Sequence, residues 1–275
     1  MLRQTEDCLS PLAPLRLALG QRALLVQLVR RDILGRYRGS LLGLAWSFVT
    51  PLAMLAIYTF VFGTVFKARW NPEAPEGPLA FALALFAGLI VFNLFAEVAS
   101  RAPGLITANP NYVKKTVFPL ALLPISAVAA ALFHAGMSLA ILLATLALLG
   151  QLNEWALTLP LLWLPFLAFV LGLAWWLASL GVFVRDLNQV MGMTVTALLF
   201  LSPVFYPASA LPEALRPWIF LNPLAFPIEA TRQVLVQGQP PDWTALGGYA
   251  LAALLFAWSG WAWFARTRKG FADVL

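Results

Sequence analysis

Residues 120–149 read LALLPISAVAAALFHAGMSLAILLATLALL, thirty positions without one Asp, Glu, Lys or Arg. About 20 apolar residues in a helix suffice to cross the hydrocarbon of a bilayer, so this stretch predicts a membrane span. Upstream lie two more such runs, 41–66 and 79–100, and downstream three, 156–184, 190–205 and 245–264. The predicted fold class is all-α integral membrane with six transmembrane helices in a single domain, 1–275. Composition agrees: 61% of residues are hydrophobic, 11% are charged and the mean hydropathy is +0.82, so lipid is the main solvent.

Orientation follows from Lys and Arg, which collect in the short loops on the inner side. With the N-terminus inside, the segment 1–40, the loop 101–115, Arg185 and the tail 265–275 carry fourteen of the eighteen basic residues, leaving Lys67, Arg69, Arg216 and Arg232 outside. Both ends are therefore expected on the cytoplasmic side. The first twenty residues do not read as a secretory signal, since Glu6 and Asp7 stand where a positive start belongs and Pro11 and Pro14 interrupt any apolar core. Residues 15–37 read as an amphipathic helix, Leu17, Leu24, Leu25, Leu28 and Val29 on one face and Gln27 and Arg30 opposite. Its arginines make it too charged to span and suit it to anionic headgroups. Packing on the protein's own body is the alternative.

Between the last two runs, Pro203, Pro207, Pro212, Pro217, Pro223 and Pro227 cut the apolar content into pieces too short to cross. The stretch 203–241 predicts short re-entrant or interfacial helices, anchored by Trp218 and Phe220; an ordinary surface loop is the alternative. Such backbone is tolerated at membrane depth only where protein or water covers it.

The chemistry of catalysis is missing from this inventory. His134 is the only histidine and Cys8 the only cysteine, which gives no candidate catalytic or metal-ligating set. None of the lysines, Lys67, Lys114, Lys115 and Lys269, follows a glycine, so no P-loop can be drawn. Within the spans the main charge is Glu97, expected to pair with Arg101 one turn on. Residues Gly35, Gly39 and Gly43, spaced by four, predict a narrow helix face open to close approach.

The segment 31–46, RDILGRYRGSLLGLAW, followed by Pro51 and by Tyr58-Thr59-Phe60-Val61-Phe62, closely resembles the opening of polysaccharide-export ABC permeases, the ABC-2 type membrane subunits for O-antigen, capsule and teichoic acid. A second match follows in the right order: residues 201–207, LSPVFYP, then Leu211-Pro212, Leu221-Asn222-Pro223-Leu224, Glu229 and Arg232. The wording of the first motif is most like the lipopolysaccharide O-antigen branch.

The resemblance implies a homodimer that exports a lipid-linked polysaccharide across a bacterial inner membrane, driven by two separate ATPase subunits. The partners bind ATP and Mg, this chain has no cofactor of its own, and nucleic acid plays no part. It implies a sugar channel lined by aromatic side chains, carried onto Trp46, Phe48, Tyr58, Phe62, Phe66, Phe200, Phe205 and Tyr206. It implies a coupling helix in the loop holding Asn109, Pro110, Asn111, Tyr112, Lys114 and Lys115, and an interfacial helix holding Arg30, Arg31, Asp32, Arg36, Tyr37 and Arg38. Two other readings remain open: a membrane glycosyl or acyl transferase acting on lipid-linked sugar, and an ABC-2 exporter of drugs or small lipids.

Overall fold

The computed structural model describes residues 10–67, 70, 78–114, 118–214, 216–219 and 221–275, and every regular element among them is helical. Two helices, α1 (Ala13–Gly20) and α2 (Arg22–Arg36), replace the continuous helix expected over 15–37. The break falls at Gln21, whose φ of −113° and ψ of 29° leave the helical region, directly after Gly20, a poor helix former. Leu28 of α2 is buried, Leu24, Leu25 and Val29 are half-buried, and Gln27 and Arg30 are exposed. Val26 and Leu34 are exposed too, so the helix is not cleanly divided into an apolar and a polar face.

Beyond Tyr37 the chain turns through Gly39 (φ +83°) and Gly43 (φ +50°), conformations that favour glycine. A Cβ on Gly35, Gly39 or Gly43 would meet nothing within 4 Å, which corrects the expectation of a close-packed glycine face. Two of the three are turn formers, because the helix has already ended at Arg36 and the chain must change direction to enter the next element.

The chain then runs through α3 (Trp46–Tyr58), prolonged by a π-helical stretch Thr59–Val65; α4 (Pro78–Arg101); a five-residue helix α5 (Pro110–Lys114); α6 (Leu122–Leu148); and α7 (Leu159–Phe183). After these come α8 (Leu187–Leu201), α9 (Arg216–Ile219), α10 (Ala225–Leu235), α11 (Trp243–Thr267) and α12 (Phe271–Val274). Among the described residues five helical segments are long and apolar enough to cross a membrane, those built on α3, α4, α6, α7 and α11. The remaining expected span, 190–205, fifth in chain order, holds the shorter α8, whose 15 residues reach roughly 22 Å at 1.5 Å each. Pro203 ends it by driving Ser202 into an extended conformation (ψ 153°).

Two packing centres hold the bundle. One is the pair α7 and α11, where a Cβ on Gly172 would lie 2.6 Å from the Ala257 Cα and one on Gly260 would collide with the Gly172 carbonyl. The Trp176 and Trp263 rings stack at 4.9 Å beside this contact, and Trp176 Nε1 donates to Ser259 Oγ at 3.2 Å. The other centre is Arg232 of α10, which is fully buried. Its Nε donates to the Ala84 carbonyl at 2.9 Å, its Nη1 to Glu229 at 3.1 Å, and its Nη2 to the carbonyls of Pro203 and Val204 at 3.0 and 3.2 Å. The Trp70 ring lies 4.0 Å from the guanidinium carbon. The irregular backbone after α8 thus finds its hydrogen bonds inside the protein, in a helix-lined setting where leaving them open would be costly. Residue Phe220, one of the two expected anchors of this stretch, lies outside the described residues, and Trp218 is exposed.

Candidate functional site

A cavity of about 1090 Å³ opens between α2, α3, α4 and α6. Its walls follow helical spacing: Ser47, Thr50, Met54 and Tyr58 from α3; Asn93, Glu97 and Arg101 from α4; Ala131, His134, Ala135 and Ser138 from α6. Within each set members recur at three- and four-residue steps, with His134 and Ala135 side by side on α6, so each helix turns one stripe into the space.

An ionic cluster closes the end of the cavity where α4 finishes. Glu97 Oε2 accepts from Arg36 Nη1 at 2.8 Å, and His134 Nδ1 lies 3.1 Å from both carboxylate oxygens. Arg101, the expected partner, stands 3.7 Å from Glu97 and 3.7 Å from Asp32, so it bridges the two carboxylates while Arg36 makes the tighter bond. Asp32 also accepts from Arg31 at 3.0 Å and from Ser126 Oγ at 3.1 Å. The Tyr37 ring meets His134 edge-on at 5.9 Å. Three arginines thus face two carboxylates before His134 is counted, which leaves the cavity mouth cationic. The side chains of Asp32 and Glu97 are only 8% and 15% exposed whereas the arginines reach water, so the carboxylates fix the geometry and the cations stay partly hydrated.

From this cluster α2 reaches a second element. Arg31 Nη1 donates to the Tyr112 hydroxyl of α5 at 3.1 Å, and the Tyr112 ring stacks on Phe118 at 4.3 Å. Tyr112 and Val113 turn inward while Pro110, Asn111 and Lys114 are exposed. Asn109 Nδ2 donates to the Leu105 carbonyl at 2.9 Å, fixing the turn before the helix. Lys115 lies outside the described residues.

The aromatic residues expected along the channel divide into separate places. Trp46 and Tyr58 line the cavity. Phe62 packs on Phe81 at 5.4 Å and leads to the exposed Phe66, with ring separations of 6.4 Å from Tyr58 to Phe62 and 5.9 Å from Phe62 to Phe66. Phe48 is exposed on α3. Phe200 is exposed on α8 and stacks with Phe205 at 5.7 Å, and the Tyr206 hydroxyl donates to the Phe200 carbonyl at 3.1 Å. Within one chain the eight do not form a single lining. Of the residues expected on the interfacial helix, Arg31, Asp32, Arg36 and Tyr37 border the cavity, whereas Arg30 and Arg38 are exposed and do not line it.

The family of ABC-2 type transporters matches residues 23–236, most of the chain, and the match spans α2, the cavity helices and the Arg232 centre. The chain belongs to the ABC-2 type transporter family. Among the relatives of this ABC-2 protein, an O-antigen export system permease protein RfbA of Myxococcus xanthus is 29% identical over 257 residues, 92% of this chain and 96% of the relative. An O-antigen export system permease protein RfbA of Klebsiella pneumoniae is 26% identical, with 92% and 95% covered. A polysialic acid transport protein KpsM of Escherichia coli is 25% identical, with 90% and 95% covered.

For this ABC-2 permease the sequence reading passed over Asn93, Thr50, Ser138 and the joint role of Glu97 and His134. One signal was available: Asn93, Glu97 and Arg101 recur every four residues in a run otherwise almost wholly apolar, which places all three on one helix face. No comparable signal ties Arg36 to His134, because they meet only through the tertiary fold.

Proposed function

We propose that the chain is the membrane-spanning subunit of an ABC transporter that exports a lipid-linked polysaccharide, O-antigen-like, across a bacterial inner membrane. Two copies form the conduit and two separate ATPase subunits bind ATP and Mg and drive it; the chain itself is no enzyme. The N- and C-termini are cytoplasmic, and α2 rests at the inner headgroup surface. In the six-span arrangement, α8 and the extended residues after it together complete the fifth crossing, at roughly 1.5 Å per helical and 3.3 Å per extended residue. The stretch 203–241 then sits re-entrant at the outer face, its backbone covered by Arg232. The aromatic side chains of α3 and α8, Trp46 to Phe66 and Phe200 to Tyr206, face the path between the two copies. The relatives named above, permeases and transport proteins for O-antigen and polysialic acid, support the substrate class.

The observation that carries the reading is that α2 touches both working ends: Arg31 bonds Tyr112 of α5, and Arg36 bonds Glu97 at the cavity mouth. In this reading α5 is the coupling helix, offering Pro110, Asn111 and Lys114 to a cleft of the ATPase, and its movement reaches the cavity through one rigid helix. The purified chain is expected to hydrolyse no ATP until its partner ATPase is added. A Tyr112→Ala, Lys114→Ala double variant is expected to lose assembly with the ATPase or to hydrolyse ATP without export. Wild-type assembly and export in that variant would remove the coupling role.

A further inference from the structure

Asn93 is out of place in α4. Its neighbours Val91, Phe92, Leu94 and Phe95 are all buried, yet its amide is exposed and makes no hydrogen bond to the described residues. A bare carboxamide facing hydrocarbon is costly in a membrane helix, so such a group belongs in a water-filled or ligand-filled space. Asn93 lines the cavity one turn beyond Glu97 and two turns beyond Arg101, about 6 Å and about 12 Å along the axis at 1.5 Å per residue. Ser138 of α6 lines it too, one turn beyond His134 just as Asn93 is one turn beyond Glu97, and its hydroxyl is spent only as a donor, to the His134 carbonyl at 3.2 Å. Thr50 contributes a further exposed hydroxyl from α3.

Resting on the functional reading above, we propose that Asn93, with Ser138 and Thr50, forms a sugar-binding rung inside the membrane, the first uncharged polar level above the ionic mouth. Its ligand is a neutral hexose unit of the exported chain. An amide offers two donors and a two-lone-pair acceptor, the Thr50 hydroxyl can donate or accept, and the Ser138 hydroxyl, its proton spent on the His134 carbonyl, can accept, a set that matches vicinal sugar hydroxyls without holding them by charge. The level carries no fixed charge, so it slides a uniform polyol along where an ionic site would trap it. The acyl chain of a lipid finds no match for the amide, and an anionic group is met one level lower, at Arg36 and Arg101.

The test uses the assembled transporter in cells making their own polysaccharide, comparing surface polymer per assembled complex. Asn93→Leu, similar in size but without hydrogen bonds, is expected to lower export about tenfold, the cost of one polar partner left unmade, while ATPase binding is kept. Asn93→Gln is expected to restore most of it. Should the Leu variant fail to assemble, an Asn93→Cys variant carrying Cys8→Ser decides. A water-soluble thiol reagent is expected to label position 93 from the aqueous phase, and more slowly in cells making polymer than in cells blocked in lipid-linked sugar synthesis. Export at the wild-type level by Asn93→Leu, or no labelling of position 93, overturns the assignment of Asn93 alone. Absence of polysaccharide export by the wild-type complex overturns the functional reading beneath it as well.

Discussion

The first two long helical segments are both apolar enough to span, yet 78% of the apolar window in Leu79–Gly104 is buried inside the protein against 11% in Gly43–Val65. Both windows are apolar enough for lipid; small residues and neighbours decide which one the protein covers. Along α4 small residues let other elements come close: Ala84 offers its carbonyl to Arg232, and a Cβ on Gly88 would stand 2.7 Å from Arg232 Nη2. Ala82, Ala84 and Ala87 are buried, and Ile228 of α10 also comes within 3.3 Å of a Cβ on Gly88. Along α3 and its π-helical extension most outward residues are large, Phe48, Leu52, Ile57 and Phe60, with Phe66 just beyond, and among the described residues they stay exposed. α4 is a protein core that happens to lie in a membrane, while α3 is a surface left for lipid, a second copy or the transported polymer.

The contrast can be broken or sharpened by substitution, beginning at the α4 side. Arg232→Ala removes the group that satisfies four partners and leaves the carbonyls of Ala84, Pro203 and Val204 without their donor, at about 1–3 kcal/mol for each buried acceptor left unmade. Recovery of folded protein in detergent is expected to collapse, and a normal yield would show that α4 does not depend on this centre. Next comes Phe95→Ala on α4, at 3% exposure, expected to lower the unfolding free energy by about 3 kcal/mol in a detergent melt.

Overfilling tests the small-residue contacts more gently. Gly172→Val pushes methyl groups into the backbone of α11 at Ala257 and is expected to cost about 1–3 kcal/mol, read as a lowered melting temperature. The smallest effect is expected from Phe60→Ala on α3, 61% exposed, which should move stability by no more than about 0.5 kcal/mol. A melt in which Phe60→Ala is as damaging as Phe95→Ala would erase the distinction between the two helices.

Much of this organisation was legible in the chain itself. Long uncharged runs such as 120–149 can only be satisfied by helices in an apolar solvent, since every backbone group is then bonded locally. The proline series from Pro203 to Pro227 likewise forbids a long helix there, and among the described residues that stretch holds short pieces, the 3-10 turn Ala208–Ala210, α9 and α10. The family, too, was written in two motifs, and the match over residues 23–236 bears it out. The helix expected over 15–37 instead breaks at Gln21, and Gly39 and Gly43 turn the chain where a close-packed face was expected, because local propensity does not reveal where a helix stops when its neighbours are unknown.

Near neighbours along the chain fix which segments are helical and which charges lie at their ends. Which residues separated by many turns share a space is settled only when the helices pack. Arg36 and His134 are 98 positions apart and meet at Glu97; Arg232 reaches back 148 positions to Ala84. A sequence of apolar helices has nearly equivalent faces, and lipid rewards any of them. The choice of face is therefore made by the few contacts that differ: a glycine that admits a backbone, and a buried cation that needs its carbonyls. In this chain those contacts bury α4, leave α3 bare and line the cavity between them.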